Sequence, residues 1–146
     1  MKIAMMAAAA VLLAGPAMAQ TAPGALQVEV PELPTATADP TCGGRAVLAQ
    51  QAFCVSTTQA GIGALVDAYS EAFSRQGWQP GGGRENLVVY LKLKALNVCT
   101  GFQMLAFADD AREPAPAAPA YLAFAAIPGD LPCASPEPAT APALAQ

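Results

Sequence analysis

The chain has 146 residues, with seven basic and 11 acidic side chains and no histidine. This length allows one small domain once a leader is removed. The lack of histidine excludes a Ser-His-Asp triad, a Cys-His pair and a histidine-ligated metal. The few basic side chains are dispersed rather than arranged in the stripe that neutralises phosphates, so we expect no nucleic-acid partner.

The N-terminus predicts a secretory signal peptide over residues 1–19. Lys2 precedes an apolar run over residues 3–13, and Ala17-Met18-Ala19 supplies the small residues that signal peptidase requires. A membrane span needs roughly 20 apolar residues, so the shorter run favours cleavage over a retained anchor. We expect a mature chain with no integral membrane segment, located in the bacterial periplasm or the medium.

Composition divides the rest of the chain into three parts. Residues 20–40 are rich in proline and alanine, which is typical of an extended linker, although residues 26–30 alternate and could dock as an edge strand. Residues 134–146 are also rich in proline and alanine and show no core-forming pattern, so we predict a disordered tail. A single folded domain is therefore expected over residues 41–133.

Four cysteines follow the predicted leader: Cys42, Cys54, Cys99 and Cys133. In an exported chain an even number of cysteines indicates disulfides, whereas a zinc site would need closely spaced pairs. The C-x-x-C spacing of a redox pair is absent. We therefore expect two disulfides, with three pairings possible, and we predict neither a metal nor a cofactor.

The clearest predicted element is an amphipathic helix that follows the serine and threonine N-caps at residues 56–58. Its apolar stripe repeats at helical spacing and consists of Ile62, Leu65, Val66, Tyr69 and Phe73. Gly77 suits the left-handed position that ends a helix in a Schellman motif. We therefore expect Trp78 to pack back on Phe73 rather than to act as a platform for a stacked ligand.

The segment before this helix, residues 46–55, is ambiguous. Alternating apolar side chains favour a strand, while its alanines and glutamines favour a short helix. We predict the strand.

Three further strands are predicted after a mobile glycine turn at residues 80–83: 85–95, 98–108 and 120–127. The first alternates in two sets. We place Leu87, Val89, Leu91 and Leu93 under the helix and Tyr90, Lys92 and Lys94 on the opposite face. A tight Leu96-Asn97 connection joins the first two strands as a hairpin, and Pro128-Gly129-Asp130 is expected to end the third.

These elements give an α+β fold in the order β-α-β-β-β, with one amphipathic helix packed on a small, mainly antiparallel sheet. In a meander the start of the second strand lies near the end of the third. Cys99 and Cys133 can therefore reach the roughly 5.5 Å Cα separation of a disulfide. Cys42 then pairs with Cys54 and clips the start of the domain to its first element.

The available carboxylates form no recognisable catalytic or calcium motif. Asp109-Asp110 and Asp130 could meet at one end of the sheet and bind calcium, but polar residues that close strands are the favoured interpretation. A hydrolytic pair could be drawn from Asp67, Glu71 and Glu85. The first two lie on the solvent face of the predicted helix, so surface ion pairing is favoured there.

One sheet surface offers a binding hypothesis. Tyr90, Lys92 and Lys94, beside apolar residues of the next strand, would form a half-apolar face suited to a protein or small-molecule partner, unless the linker or the first element covers it. We therefore predict an exported, non-catalytic, disulfide-stapled binding module. The alternatives are a small carboxylate-dependent hydrolase and a structural protein of the cell envelope.

Overall fold

The computed structural model describes residues 25–133. The predicted signal peptide, the start of the predicted linker and the predicted tail lie outside the described residues. The elements in chain order are β1 Thr37–Ala38, α1 Ala46–Ala49, β2 Phe53–Thr58, α2 Ile62–Arg75, β3 Gln79–Arg84, β4 Leu87–Ala95, β5 Val98–Ala108 and β6 Pro119–Pro132. None of the helices in this range is long and apolar enough to cross a bilayer.

The six strands form one sheet in the order β1-β2-β6-β5-β4-β3, and every neighbouring pair is antiparallel. The predicted α+β class, mainly antiparallel sheet and two disulfides are therefore present. The predicted β-α-β-β-β order is incomplete, because the structure adds strands β1 and β3 and the short helix α1. The predicted meander corresponds to β4, β5 and β6, and β2 joins it by pairing with β6.

Residues 46–55 contain both of the structures that the sequence left open. Ala46–Ala49 form the one-turn helix α1, and the chain becomes a strand only from Phe53, where it pairs with Phe124 of β6. The prediction of a strand over the whole segment was therefore wrong for its first half. Alanine and leucine favour a helix, and they determine the local structure where no neighbouring strand is available for pairing. From Phe53 onward, pairing with β6 determines the structure instead.

The predicted glycine turn at residues 80–83 is part of the edge strand β3. A Cβ atom on Gly83 would lie only 2.2 Å from the carbonyl oxygen of Leu87, so the close approach of β3 to β4 requires glycine at this position. Strand β6 also runs beyond its predicted end, through Pro128-Gly129. A register shift against β5 between Cys99 and Gly101 accommodates these residues.

Helix α2 ends as predicted and turns the predicted stripe toward the core, with Ile62 and Val66 half-buried at its edge. Leu65, Tyr69 and Phe73 are buried, and the Thr58 side chain accepts a hydrogen bond from the Gly61 amide just before the helix. The amide of Trp78 donates to the carbonyl of Phe73, and the next bond of the Schellman motif joins Gly77 to Ser74; both measure 3.0 Å. The Schellman motif thus caps the C-terminal end, whereas the N-cap residue is Gly61 rather than one of the predicted residues 56–58, and no side chain caps the first turn.

The core lies between α2 and the sheet and consists mainly of aromatic rings. Phe73 stands at its centre and makes edge-to-face contacts with Tyr90, Phe102 and Phe124, at centroid separations of 5.5, 5.0 and 5.6 Å. Trp78 is buried and packs edge-on against Phe102 at 4.9 Å. Such pairs stabilise a core beyond the area that they bury.

Part of the predicted linker belongs to this core. Val28 is 6% exposed, and Leu26, Val30 and Leu33 pack against the same cluster. The side chain of Gln76 holds the segment by accepting from the backbone N–H of Glu29 and donating to its carbonyl. Residues 26–36 therefore form an extended strap beside α2, and the folded unit begins before Thr41.

Candidate functional site

The structure places Tyr90 on the face of β4 that lies under α2. Its side chain is 2% exposed, and its ring stacks on Phe102 at 5.0 Å. Its hydroxyl lies 2.7 Å from Ser70 Oγ, which itself donates to the Val66 carbonyl, so Tyr90 is the donor to Ser70. The predicted orientation of Tyr90, away from the helix, was wrong, and a partner cannot reach this side chain at the surface.

Lys92 and Lys94 are engaged in contacts with the domain itself. The ammonium group of Lys92 donates to the Gln76 carbonyl at the C-terminal end of α2, at 2.9 Å, and lies 5.7 Å from the centre of the Trp78 ring. Lys92 thus also lies on the helix side, contrary to prediction. Lys94 forms an exposed ion pair with Asp130 at 2.7 Å. The three predicted surface residues therefore do not form one open binding face.

The face of the sheet away from α2 carries the apolar set that the sequence analysis placed under the helix. Strand register aligns these residues in rows across β4, β5 and β6. We call the following residues the open face: Val89, Leu91, Leu93, Gln103, Ile127 and Leu131. Leu93 is 68% exposed and the other five are half-buried. At the centre, Leu91 and Leu131 both lie over Gly101, which has no side chain to separate them.

The far end of the same sheet face is covered by the start of the domain. Cys42 bonds to Cys54, and this disulfide packs with Ala123 of β6 and with Leu48 of α1. The guanidinium of Arg45 lies 4.5 Å from the centre of the Phe107 ring. The disulfide, α1 and Arg45 do not extend over the open face. The two ends of this sheet face therefore differ in exposure.

Asp39 organises the loop that contains Cys42 and leads into α1. Its carboxylate accepts hydrogen bonds from the Thr41 amide and hydroxyl and from the Gly43 amide, at 2.6–2.9 Å. The Thr41 hydroxyl, ahead of the two amides, lowers the pKa of the Asp39 carboxyl below its usual value despite partial desolvation. The same loop brings Gly43 against the Tyr121 ring, where a Cβ atom would lie 2.9 Å from the ring edge.

The aspartates considered for calcium do not gather at one end of the sheet. Asp109 binds Arg112 and Asp110 binds Arg45 at the end of β5, whereas Asp130 binds Lys94 near the start of that strand. Among residues 25–133 no group of three or more cysteine, aspartate or glutamate side chains is arranged to hold a metal ion. Each of these three aspartates is instead one half of a surface ion pair.

The second disulfide joins Cys99 to Cys133 and links the start of β5 to the end of β6. Both disulfides follow the pairing that the meander argument favours. Two disulfides in a small domain indicate an oxidising compartment, either extracellular or periplasmic. Comparison with models of known protein families, with curated proteins and with solved structures gave no match.

The open face is the surface that sequence reasoning missed. One signal could have oriented β4 correctly: its aromatic residue Tyr90 pairs with Phe102, and aromatic side chains together fill the space under a helix better than a leucine row opposite Gly101. Applying that rule would have placed Leu91 and Leu93 on the face away from α2.

Proposed function

We propose that this protein is an exported, non-catalytic interaction module that binds a partner protein through the open face. The observation that carries the proposal is a set of apolar side chains, half-buried except for the exposed Leu93, on a regular sheet surface that no helix of the described domain covers. Contiguous apolar patches of this kind commonly mark interaction surfaces. The rigidity of a disulfide-linked sheet reduces the entropy that is lost on binding.

Leu93 is the best residue with which to test the proposal. Its side chain stands out from the sheet, so a charge at this position disturbs a bound partner more than it disturbs the fold. The variant Leu93→Asp places a carboxylate in the middle of an apolar contact, where it would lose its hydration without gaining a counter-ion. We expect it to abolish the complex while leaving the domain folded.

The experiment purifies the wild-type protein from its own compartment and weighs intact complexes by native mass spectrometry. We expect a defined partner with the wild type, loss of that partner with Leu93→Asp, and its retention with Ser74→Asp on the exposed side of α2. A homodimer that is lost in the same variant would identify a second copy as the partner. A complex that survives Leu93→Asp, or a wild-type protein that is entirely monomeric and unaccompanied, would contradict the proposal.

A further inference from the structure

A small pocket lies beside the second turn of α2, at the end of the sheet where β4 begins. Its volume is about 70 Å³. We call it the end pocket, and it is lined by Val66, Glu85, Asn86, Val88, Met104 and Ala106. The interior is apolar: Met104 is 2% exposed, and the two valines and Ala106 are half-buried and pack against the core. The exposed turn that joins β3 to β4 forms the rim.

The rim of the end pocket is fixed by hydrogen bonds to β5. The Ala106 amide donates to the Asn86 carbonyl at 2.8 Å, and the Asn86 side chain donates to the Ala106 carbonyl at 2.7 Å. The mouth is therefore preformed, which lowers the cost of binding. Because these polar groups are already paired and the interior side chains are apolar, an ordered water would lack the roughly two to four partners that it needs.

The charges around the mouth favour a cation. Glu85 is the only ionisable residue in the lining, and it forms no ion pair within residues 25–133. The neighbouring Arg84 lies opposite Leu87 in the register of β3 and β4, and Leu87 belongs to the set of β4 that lies away from α2. Paired residues share a face, so Arg84 points to the other side of the sheet. Asp67, next to Val66 on α2, adds a second exposed carboxylate near the pocket.

From this size and charge we infer that the end pocket binds the short alkyl group of a small aliphatic amine, with the ammonium group at the mouth beside Glu85. The volume admits roughly four carbon atoms, well below the roughly 300 Å³ at which drug-sized sites begin. The alkyl group packs on Val88, Met104 and Ala106. The site lies on the α2 side of the sheet and is therefore separate from the open face.

Three probes with the same branched alkyl end test the choice of charge: isobutylamine, which is a cation at neutral pH, isobutanol, which is neutral, and isobutyrate, which is an anion. Each is titrated into the isotopically labelled protein at constant ionic strength, and NMR shifts are followed. We expect the amine to shift the side-chain signals of Met104 and Val88, with a dissociation constant in the millimolar range because few atoms are buried. Isobutanol should bind about threefold more weakly, as an exposed ion pair is worth, and isobutyrate more weakly still.

A larger amine and a filled pocket test the choice of size. Cyclohexylmethylamine carries the same charge on a body too large for the pocket, so we expect it to leave the Met104 signals unshifted. Ala106→Leu fills the pocket and should abolish the shifts caused by isobutylamine. Ala108→Leu is the matched control, because Ala108 is also half-buried on the same face of β5 but does not line the pocket.

Glu85→Gln removes the charge at the mouth and keeps the shape of the side chain. We expect it to weaken isobutylamine about threefold and to leave isobutanol unchanged. Glu71→Gln, on the exposed side of α2, is the matched control and should change neither. Leu93→Asp should also leave isobutylamine binding unchanged, which separates this inference from the proposed function.

Any of three results overturns the inference. The first is the absence of shifts at Met104 and Val88 with isobutylamine, and the second is cyclohexylmethylamine shifting the same signals as strongly. The third is equal affinity of wild type and Glu85→Gln for isobutylamine. Each variant is first compared with the wild type by near-ultraviolet circular dichroism; if Ala106→Leu does not fold, the two amines and Glu85→Gln still decide the question.

Discussion

The two faces of the sheet are held in different ways. Under α2, interlocking rings around Phe73 exclude water, and neither disulfide lies there. On the opposite face the neighbours of Cys54 and Cys99 across the sheet are Ala123 and Leu93, and both disulfides are found on that side. A single helix can cover only one face of a sheet. The other face combines covalent links at its ends with apolar side chains that remain partly exposed.

The largest expected effect comes from emptying the centre of the covered face. Phe73→Ala removes a fully buried ring that contacts four others, and we expect it to lower the free energy of unfolding by about 3–5 kcal/mol. The measurement is urea unfolding followed by circular dichroism.

Leu93→Ala is the matched truncation on the open face. Because its side chain is already mostly exposed, we expect a change within about 0.5 kcal/mol. Equal losses in Phe73→Ala and Leu93→Ala would show that the two faces do not differ as described.

The next effect comes from removing the two disulfides, which lie on the sheet face opposite α2. On the chain-entropy model, the loop of separation 34 closed by Cys99–Cys133 contributes about 4 kcal/mol and the loop of separation 12 closed by Cys42–Cys54 contributes about 3 kcal/mol. We therefore expect the double variant Cys99→Ala/Cys133→Ala to melt at a lower temperature than Cys42→Ala/Cys54→Ala. Calorimetry measures both. The reverse order would mean that packing of α1 against its disulfide outweighs chain entropy.

A smaller effect tests the position of Tyr90. Removing its hydroxyl in Tyr90→Phe breaks the hydrogen bond to Ser70 and keeps the ring in the core, so we expect a loss of about 1 kcal/mol in urea unfolding. Tyr121→Phe is the control, because this half-buried side chain pairs with Phe107 and lies on the other face. If Tyr90→Phe cost no more than the control, the contact between β4 and α2 would be unsupported.

The smallest expected effect concerns the Asp39 loop, which lies at the covered end of the sheet face opposite α2. Its hydrogen bonds lower the folded-state pKa of Asp39, so they stabilise the ionised form. Their contribution is present above the unfolded-state pKa and is lost as the pH falls through the lower folded-state value. Asp39→Ala should lose under about 1 kcal/mol at neutral pH, since solvent screens this partly exposed carboxylate.

The pH dependence provides the check on that loop. The difference in unfolding free energy between wild type and Asp39→Ala should shrink below about pH 4 and stay constant above about pH 5. A difference that grows on acidification would have the wrong sign for a carboxylate stabilised by donors.

Local features of the fold were predictable because their determinants are close in sequence. The stripe of α2, its Schellman end at Gly77 and the Leu96-Asn97 connection each depend on a few neighbouring residues. The order of the last three strands followed from hairpin connections. The pairing of β2 with β6 did not, because more than 60 residues separate Val55 from its partner Leu122 and no local pattern joins them.

The candidate sites were harder to predict for a specific reason. Strand β4 is apolar on both sides over Leu87–Leu91, so alternation defines two sets without saying which one faces the helix. Lys92 misled the assignment because it lies on the covered face but beyond the end of α2, where it reaches the Gln76 carbonyl. The strap was missed because its prolines and alanines resemble a linker, although Val28 is buried.

The sequence by itself determined that the domain is small, that it has four cysteines for two disulfides, that one amphipathic helix lies between strands and that no histidine chemistry is available. Those properties follow from composition and short-range periodicity. Only the tertiary structure decided which face of β4 is buried, where residues 26–36 pack and where the open face lies. These outcomes depend on which face of the sheet packs against the single helix α2. The large rings of Tyr90, Phe102 and Phe124 fill the space under α2, so the leucines of β4 lie on the other face.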